Sequence, residues 1–409
     1  MARFVTWLPS FLLPDSLLLL AAVGFLRPGG LPTMRLPLEA AFAYLVLAAG
    51  VLLSLYLRHS RILFALLLLA LADRALLHLA AGSAASSDVG RIMFNAVALL
   101  LPLNLLALSL ITERRLLISR EVVRLVLVLV QVFFVSWIGL PENEAFAAAL
   151  ESPFVDPRYT AWTPLAQPAL AAFGVALALQ AARFAAYRND VDRGFFWALV
   201  AAFVALHGTR AGWLPTNFLA TAGLILIIDA YAEVYRSTYY DELTGLRGQV
   251  ALDQALFNLS SRYAIAIIDV DHMKQINNTH GYPAGDQALR MVATKVAAMP
   301  GDGATFRDDH NKFFAVFPGK AATDVALHLE ALRKAVEASP VTPPARRRLF
   351  RKPETPATIP VTISVGIAER DERRTTSEQV VKSAEVALAR AKSVGGNQVK
   401  ARPAAKEHP

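Results

Sequence analysis

Two carboxylates close the run YAIAIIDVD: Asp269 and Asp271 stand on either side of Val270 where an apolar stretch turns polar. Further on, RDDHNKFFAVFPG (307–319) sets Asp308, Asp309, His310, Asn311 and Lys312 between two short apolar runs, where a hairpin would have its tip. In sheets covered by helices, sites gather at strand ends, so both places are candidates for chemistry. The Lys312 ammonium has no lone pair to give a metal. A third polar group, Asp73, Arg74 and His78 of LADRALLH, interrupts an otherwise apolar run. The sequence has no cysteine, which excludes disulfides and thiolate-bound metals.

The elements that must position these residues fall into two halves. Of 409 residues, 55% are hydrophobic and 18% charged, which places the chain among membrane proteins. No lysine precedes Lys274, and the long apolar runs stop near Tyr235. A transmembrane region at 1–235 is therefore expected, then a joint at 236–248 that opens a soluble domain over 240–402, with a tail at 403–409. A spanning helix needs about 20 apolar residues. Eight segments are candidates: 11–26, 37–57, 62–81, 92–111, 122–140, 164–184, 194–207 and 217–232, the first and seventh being the weakest. The loops 58–61, 112–120 and 183–193 are basic, and the alternate ones, 81–90 and 141–157, are neutral or acidic. That alternation puts both termini and the soluble domain in the cytoplasm. The net charge of +8 owes much to arginines flanking apolar segments, so nucleic-acid binding need not be invoked. Asp73 lies about 16 Å along its helix, near mid-bilayer. It and its neighbours are either a ligand or proton site or a structural set of ion pairs and interhelical hydrogen bonds.

After Asp241 helical and strand patterns alternate: helix 249–261, strand 263–269, helix 284–298, strands 304–308 and 312–317, helix 322–338, strand 359–369, helix 377–393 and a closing strand. This reads as a central sheet flanked by helices. DELTGL (241–246), IDVDHMKQINNTHGYPAGDQALR (268–290), TISVGIA (362–368) and ALARAKSVGGNQV (387–399) together resemble the GGDEF domain of diguanylate cyclases. Four spaced blocks in order are far more specific than one short motif. The resemblance does not reach the membrane half. The expected architecture is an all-α polytopic bundle of about eight helices followed by a cytoplasmic α/β GGDEF domain.

The resemblance implies that two GTP molecules are joined into cyclic di-GMP across a dimer of such domains, with magnesium neutralising phosphoryl charge. It implies Asp269 and the Val270 carbonyl as metal ligands, Asn277 and Asp286 on the guanine edge, and Lys392 on the triphosphate. Gly396 stands where a phosphate-binding arginine is usual, and Asn278 and Gln249 replace an aspartate and an arginine. The five signature positions become Asp309, His310, Asn311, Lys312 and Phe313, of which the phenylalanine alone is retained. Lys312 replaces a metal ligand by a cation. At 4 Å and an effective dielectric of 20 it would repel a divalent ion by about 8 kcal/mol. An inhibitory product site before the signature is also missing, since PGDGAT (300–305) occupies its place.

For isolated residues there are simpler readings: exposed acids at 269 and 271, loop or cap residues at 277 and 286, and a plain helix stop at Gly395–Gly396. The Pro- and Arg-rich stretch 341–358 is expected to be a basic insertion, either a solvated loop or an anchor for anionic lipid. The expected function is that of a bacterial inner-membrane signalling protein whose cyclase domain is inactive, needs no cofactor, and pairs with itself or another GGDEF protein. Two alternatives stand beside it: an active, magnesium-dependent cyclase with an atypical site, and a metal-independent GTP sensor.

Overall fold

The structure is a computed structural model that describes residues 13–26, 37–57, 59–81, 88–111, 118–138, 140, 143–259, 262–308, 310, 312–342, 358–371 and 376–402. Two compact units, Met1–Val234 and Tyr235–Pro409, make up the chain.

In the first unit the described helices are α1 (Asp15–Leu26), α2 (Pro37–Tyr56), α3 (Ser60–Ala81), α4 (Asp88–Leu110), α5 (Ile118–Ile138), the short α6 (Glu144–Glu151), α7 (Gln167–Tyr187) and α8 (Asp190–His207), then α9 (Pro215–Tyr239), which ends in the second unit. Helices are the form in which an apolar chain meets its own backbone hydrogen bonds without water. Each apolar segment expected to span lies largely on one of them in its described residues. Among the described residues, four helices are long and apolar enough to cross a membrane: Val89–Leu110, Gln167–Tyr187, Asp190–Ala211 and Pro215–Tyr239. This is fewer than the eight expected. Asp15–Phe25, Ala43–Tyr56 and Val122–Ile138 are shorter, and α3 carries Arg61, Asp73 and Arg74. Phe173, Phe195, Phe218, Leu66 and Leu105 fill the core. At the start of α8, Asn189 Oδ1 accepts the Val191 N–H at 2.9 Å and caps the helix.

The second unit is built on a five-stranded sheet in the order β2-β3-β1-β4-β5. Its strands are β1 (Tyr263–Val270), β2 (Ala304–Arg307), β3 (Phe313–Pro318), β4 (Ile363–Glu369) and β5 (Val399–Arg402). Central β1 runs antiparallel to β3 and β4, and β5 joins β4 in parallel. The helices are α10 (Gln249–Phe257), α11 (Met273–His280), α12 (Tyr282–Ala297), α13 (Ala322–Glu337) and α14 (Ser377–Ser393). Alternate β1 side chains enter two cores. Ala264, Ala266 and Ile268 pack with residues of α12 and α13, whereas Ile265 and Ile267 pack with Leu252 of α10 and with Val380, Ala384 and Leu388 of α14. Helix α11 was not among the expected elements, because its eight residues offer only Met273 and Ile276 to an apolar face. The strand expected from 359 begins at Ile363. Ile359 instead makes a two-way backbone bridge with Val341, at the neck of the basic stretch, whose residues 343–357 lie outside the described ones, as does the tail 403–409.

Candidate nucleotide site

Strand alternation decides which polar groups share a face. Asp269 follows Ile267 on the α14 side of β1, and Lys312 precedes Phe314 on the same side of β3. Above them lies α14, whose Glu385 and Lys392 are two turns apart and so on one side of the helix. Lys392 Nζ meets Asp269 Oδ2 at 2.5 Å, and Lys312 Nζ meets Glu385 Oε1 at 3.1 Å. Two ammonium groups thus neutralise two carboxylates at one end of the sheet. Gly366 of β4 fixes the approach of α14. A Cβ there would come within 2.2 Å of the Ala384 carbonyl oxygen and 2.3 Å of the Leu388 nitrogen.

The hairpin tip is shaped by its own first residue. Arg307 pairs with Phe313 in the β2–β3 register. The Asp308 N–H donates to the Lys312 carbonyl at 2.9 Å, while Asp308 Oδ1 accepts the His310 and Lys312 N–H groups at 3.0 and 2.7 Å. A carboxylate satisfying two turn amides is an Asx-type closure. Asp309 and Asn311 lie outside the described residues. Phe313 is fully buried and registers against Ile268. Behind the tip, Arg307 Nη1 donates to Asp241 Oδ1 at 2.5 Å, and Thr244 donates to the same oxygen through its N–H and hydroxyl. Burial works against ionising Asp241, but the Thr244 and Arg307 bonds outweigh it and hold the carboxyl below the usual carboxylate range.

Asp271 is not the exposed acid that a strand end suggests. It is buried and accepts from the Ser364 hydroxyl at 2.6 Å, the Thr362 hydroxyl at 2.9 Å and the Asn397 N–H at 2.8 Å. Gly395 and Gly396 do end α14, with φ of +105° and +75°. A Cβ on Gly396 would meet Asp271 at 3.0 Å, so this turn geometry has no easy place for an arginine. Val270 is buried and pairs with Ile363 of β4. Asn277 and Asp286 are neither loop nor cap residues: they lie within α11 and α12. The Asn277 Oδ1 is buried without a hydrogen-bond partner and rests against Gly285, where a Cβ would come within 1.9 Å.

A magnesium pair needs several hard oxygen ligands. No three His, Asp or Glu residues gather as a metal-holding group among the described residues. Asp269 faces an ammonium and Asp271 is committed to three donors. Among the described residues, the donors at this end of the sheet do not fit that magnesium pair.

The polar group in α3 belongs to the first unit. Asp73 is buried, accepting from the Thr216 hydroxyl of α9 and from Arg74, both at 2.5 Å. Arg74 also donates to the Tyr44 hydroxyl at 2.9 Å and lies over its ring. These bonds tie α2, α3 and α9 together. His78 lies within α3. Sequence reasoning missed Glu385, signalled only by its seven-residue spacing from Lys392. It also missed Asp229 and Arg193, although ILIIDAY and VDRGFF set charges inside apolar runs.

Comparison with known proteins finds similar sequences. The family model "Diguanylate cyclase, GGDEF domain" matches residues 238–398. Diguanylate cyclase VdcA of Vibrio cholerae is 27% identical over 194 residues, covering 45% of this chain and 55% of that protein. Cyclic di-GMP phosphodiesterase NbdA of Pseudomonas aeruginosa is 28% identical over 244 residues, covering 55% of this chain and 28% of that protein. The chain thus spans about half or less of the length of these relatives. Among solved structures, the coiled coil and GGDEF domain of DgcB from Caulobacter crescentus, in complex with c-di-GMP, is 28% identical with a TM-score of 0.39, covering 45% of this chain and 95% of that one. Residues 238–398 of this chain are a GGDEF domain.

Proposed function

We propose that this protein works in cyclic di-GMP signalling through a GGDEF domain that no longer makes the dinucleotide and acts by contact, pairing with itself or with another GGDEF protein. The observation that carries this reading is the pair of ion pairs over the sheet end. The carboxylate expected to hold metal is taken by Lys392, and the signature position expected to supply another is Lys312, held by Glu385. For a cation to reach Asp269, Lys392 must leave, and Lys312 then adds repulsion instead of a ligand. We place the chain in a bacterial inner membrane with all eight apolar segments crossing and the GGDEF domain in the cytoplasm, on the strength of the loop charges.

The test is cyclic di-GMP formation by the purified full-length protein with GTP and magnesium, read by mass spectrometry beside the variant Asp309→Gly/His310→Gly/Asn311→Glu/Lys312→Glu. No product is expected from the native chain, and sustained synthesis by it would overturn the reading.

A second reading, a metal-independent GTP sensor, is favoured by the unpartnered Asn277 Oδ1 and by two ammonium groups at one end of the sheet. Asn277 and Asp286 would take the guanine edge, while Lys312 and Lys392 leave their carboxylates for phosphates. It predicts GTP binding that survives chelation of divalent metal. Loss of binding on chelation would exclude it.

A further inference from the structure

Three helices of the first unit, α3, α4 and α5, line a cleft of about 320 Å³. Each gives it the same kind of face, residues i, i+3, i+4 and i+7, over 68–75 on α3, 97–104 on α4 and 128–135 on α5. Faces patterned in this way ordinarily interdigitate. Here α3 presents only methyl groups at Ala72 and Ala75, one turn apart, and the space they leave is not filled. On α4, Pro102 interrupts the helix hydrogen-bond ladder between two lining residues, Leu101 and Asn104. The cleft has about twice the volume of a 150 Å³ cavity that takes benzene, so about a dozen non-hydrogen atoms fit.

The walls are mainly apolar, with Val97, Leu101 and Val128 buried. A few placed polar groups among apolar walls are what small-molecule sites use to fix orientation. Here Asn104 Nδ2–H donates to Gln131 Oε1 at 2.7 Å, and Gln131 Nε2–H donates to Asn104 Oδ1 at 2.8 Å. Each amide keeps a second N–H beyond that mutual pair. Arg74 also lines the cleft, and its charge is matched by Asp73 at 2.5 Å. The lining thus offers donors without net charge. An anion would gain from Arg74 only against the carboxylate beside it, whereas a neutral oxygen meets no such opposition.

We propose that this cleft binds an uncharged, apolar small molecule of about a dozen non-hydrogen atoms, whose one carbonyl oxygen accepts from the Asn104–Gln131 amide pair. The same cleft bears on α9. Arg74 donates to Asp73, and Asp73 accepts from the Thr216 hydroxyl at the start of α9, the helix that ends in the second unit. A ligand beside Arg74 therefore shares an ion pair with the helix that joins the two units.

Photolabelling of the full-length protein in lipid nanodiscs tests this, with methyl nonyl ketone carrying a diazirine at the far end of its chain as the probe. The expected result is saturable labelling that mass spectrometry maps to 68–75, 97–104 and 128–135. Plain methyl nonyl ketone displaces the probe at about tenfold lower mole fraction in the bilayer than undecane does, the worth of one hydrogen bond. That difference disappears in Asn104→Leu/Gln131→Leu, and saturable labelling is lost in Ala72→Leu/Ala75→Leu, which fills the cleft. The proposal is overturned if labelling rises without saturation, as in a groove that bilayer chains fill, or if it survives filling of the cleft. It is overturned equally if undecane competes as well as the ketone, or if decanoate competes better, which would make the site one for an anion at Arg74. Should either variant fail to fold, saturation and the order of the three competitors on the native protein still decide.

Discussion

Two charged clusters of this molecule differ in how far water reaches them. Over the GGDEF sheet, two ammonium groups meet two carboxylates, and each pair keeps at least one partner well exposed. Around Arg193, the guanidinium meets the carboxylates of Asp15, Asp190 and Asp229 with almost no exposure. Exposed pairs contribute about 0–1 kcal/mol, because water competes for both partners. Buried charges have no such alternative, and each depends on the others remaining in place. The first cluster is thus an arrangement that a ligand can open at small cost. The second is a commitment of the fold.

The harshest test of this contrast removes Arg193. Arg193→Met leaves Asp15, Asp190 and Asp229 without their shared cation, and we expect a loss of about 3–5 kcal/mol of stability. Denaturation of the purified protein in detergent would read this as a large drop in melting temperature. Arg193→Lys is expected to rescue little, since a point charge cannot supply the two parallel donors of the fork. A fully stable Arg193→Met protein would erase the distinction between the clusters.

Asp271 stands between the two extremes, buried but satisfied by neutral donors. In Asp271→Ala the Ser364 and Thr362 hydroxyls and the Asn397 N–H lose their acceptor. We expect a cost of about 1–3 kcal/mol, smaller than at Arg193 because no charge is stranded. Chemical denaturation of the full chain would measure it. A cost equal to that at Arg193 would show that burial, and not unmatched charge, sets the scale.

Much of the GGDEF half was legible because its signals are local. The strand YAIAIID and the helix 377–393 declare themselves by period, and Gly395–Gly396 announces the end of α14. What stayed hidden were pairings between distant elements. Nothing near Lys312 in sequence names Glu385, 73 residues away, and Asp271 looks solvent-exposed until Ser364 and Asn397 fold over it. In the first unit, hydropathy located helices but not their charges' partners: Asp15 and Arg193 are 178 residues apart. Asp73 drew attention because Arg74 and His78 lie close by, whereas the lone Asp229 passed as an interruption of an apolar run.

Acid titration sharpens the contrast from another side. Asp241, held down by Thr244 and Arg307, has a folded pKa below its unfolded one. Its stabilising contribution is therefore fully present above the unfolded value, about 3.9, and is lost as the pH falls through the folded value. Asp241→Asn should lower stability at neutral pH and flatten the decline of the GGDEF domain below about pH 4. The tryptophans all precede residue 214, so tyrosine absorbance or amide exchange within 238–398 is the suitable probe. An unchanged acid limb would mean that the Thr244 and Arg307 contacts of the ionised Asp241 contribute nothing to folding.

The smallest expected effect belongs to Lys312 and Glu385, and it decides what the hairpin lysine is for. If the pair is an ordinary exposed contact, Lys312→Ala, Glu385→Ala and the double variant should give a coupling of about 0–1 kcal/mol, shrinking as salt is raised. Such a value leaves Lys312 free to exchange Glu385 for another anion at little cost. A salt-insensitive coupling well above 1 kcal/mol would mean that the lysine is locked to α14, and the sensor reading would lose one of its two phosphate contacts. Lys392→Ala separates the cases further, because it frees Asp269. If Lys312 is held by Glu385, magnesium binding at Asp269 should stay weak in Lys392→Ala alone and improve when Lys312→Glu is added, as followed by calorimetry. Equal magnesium affinity in both variants would show that the repulsion assigned to Lys312 is not felt at Asp269.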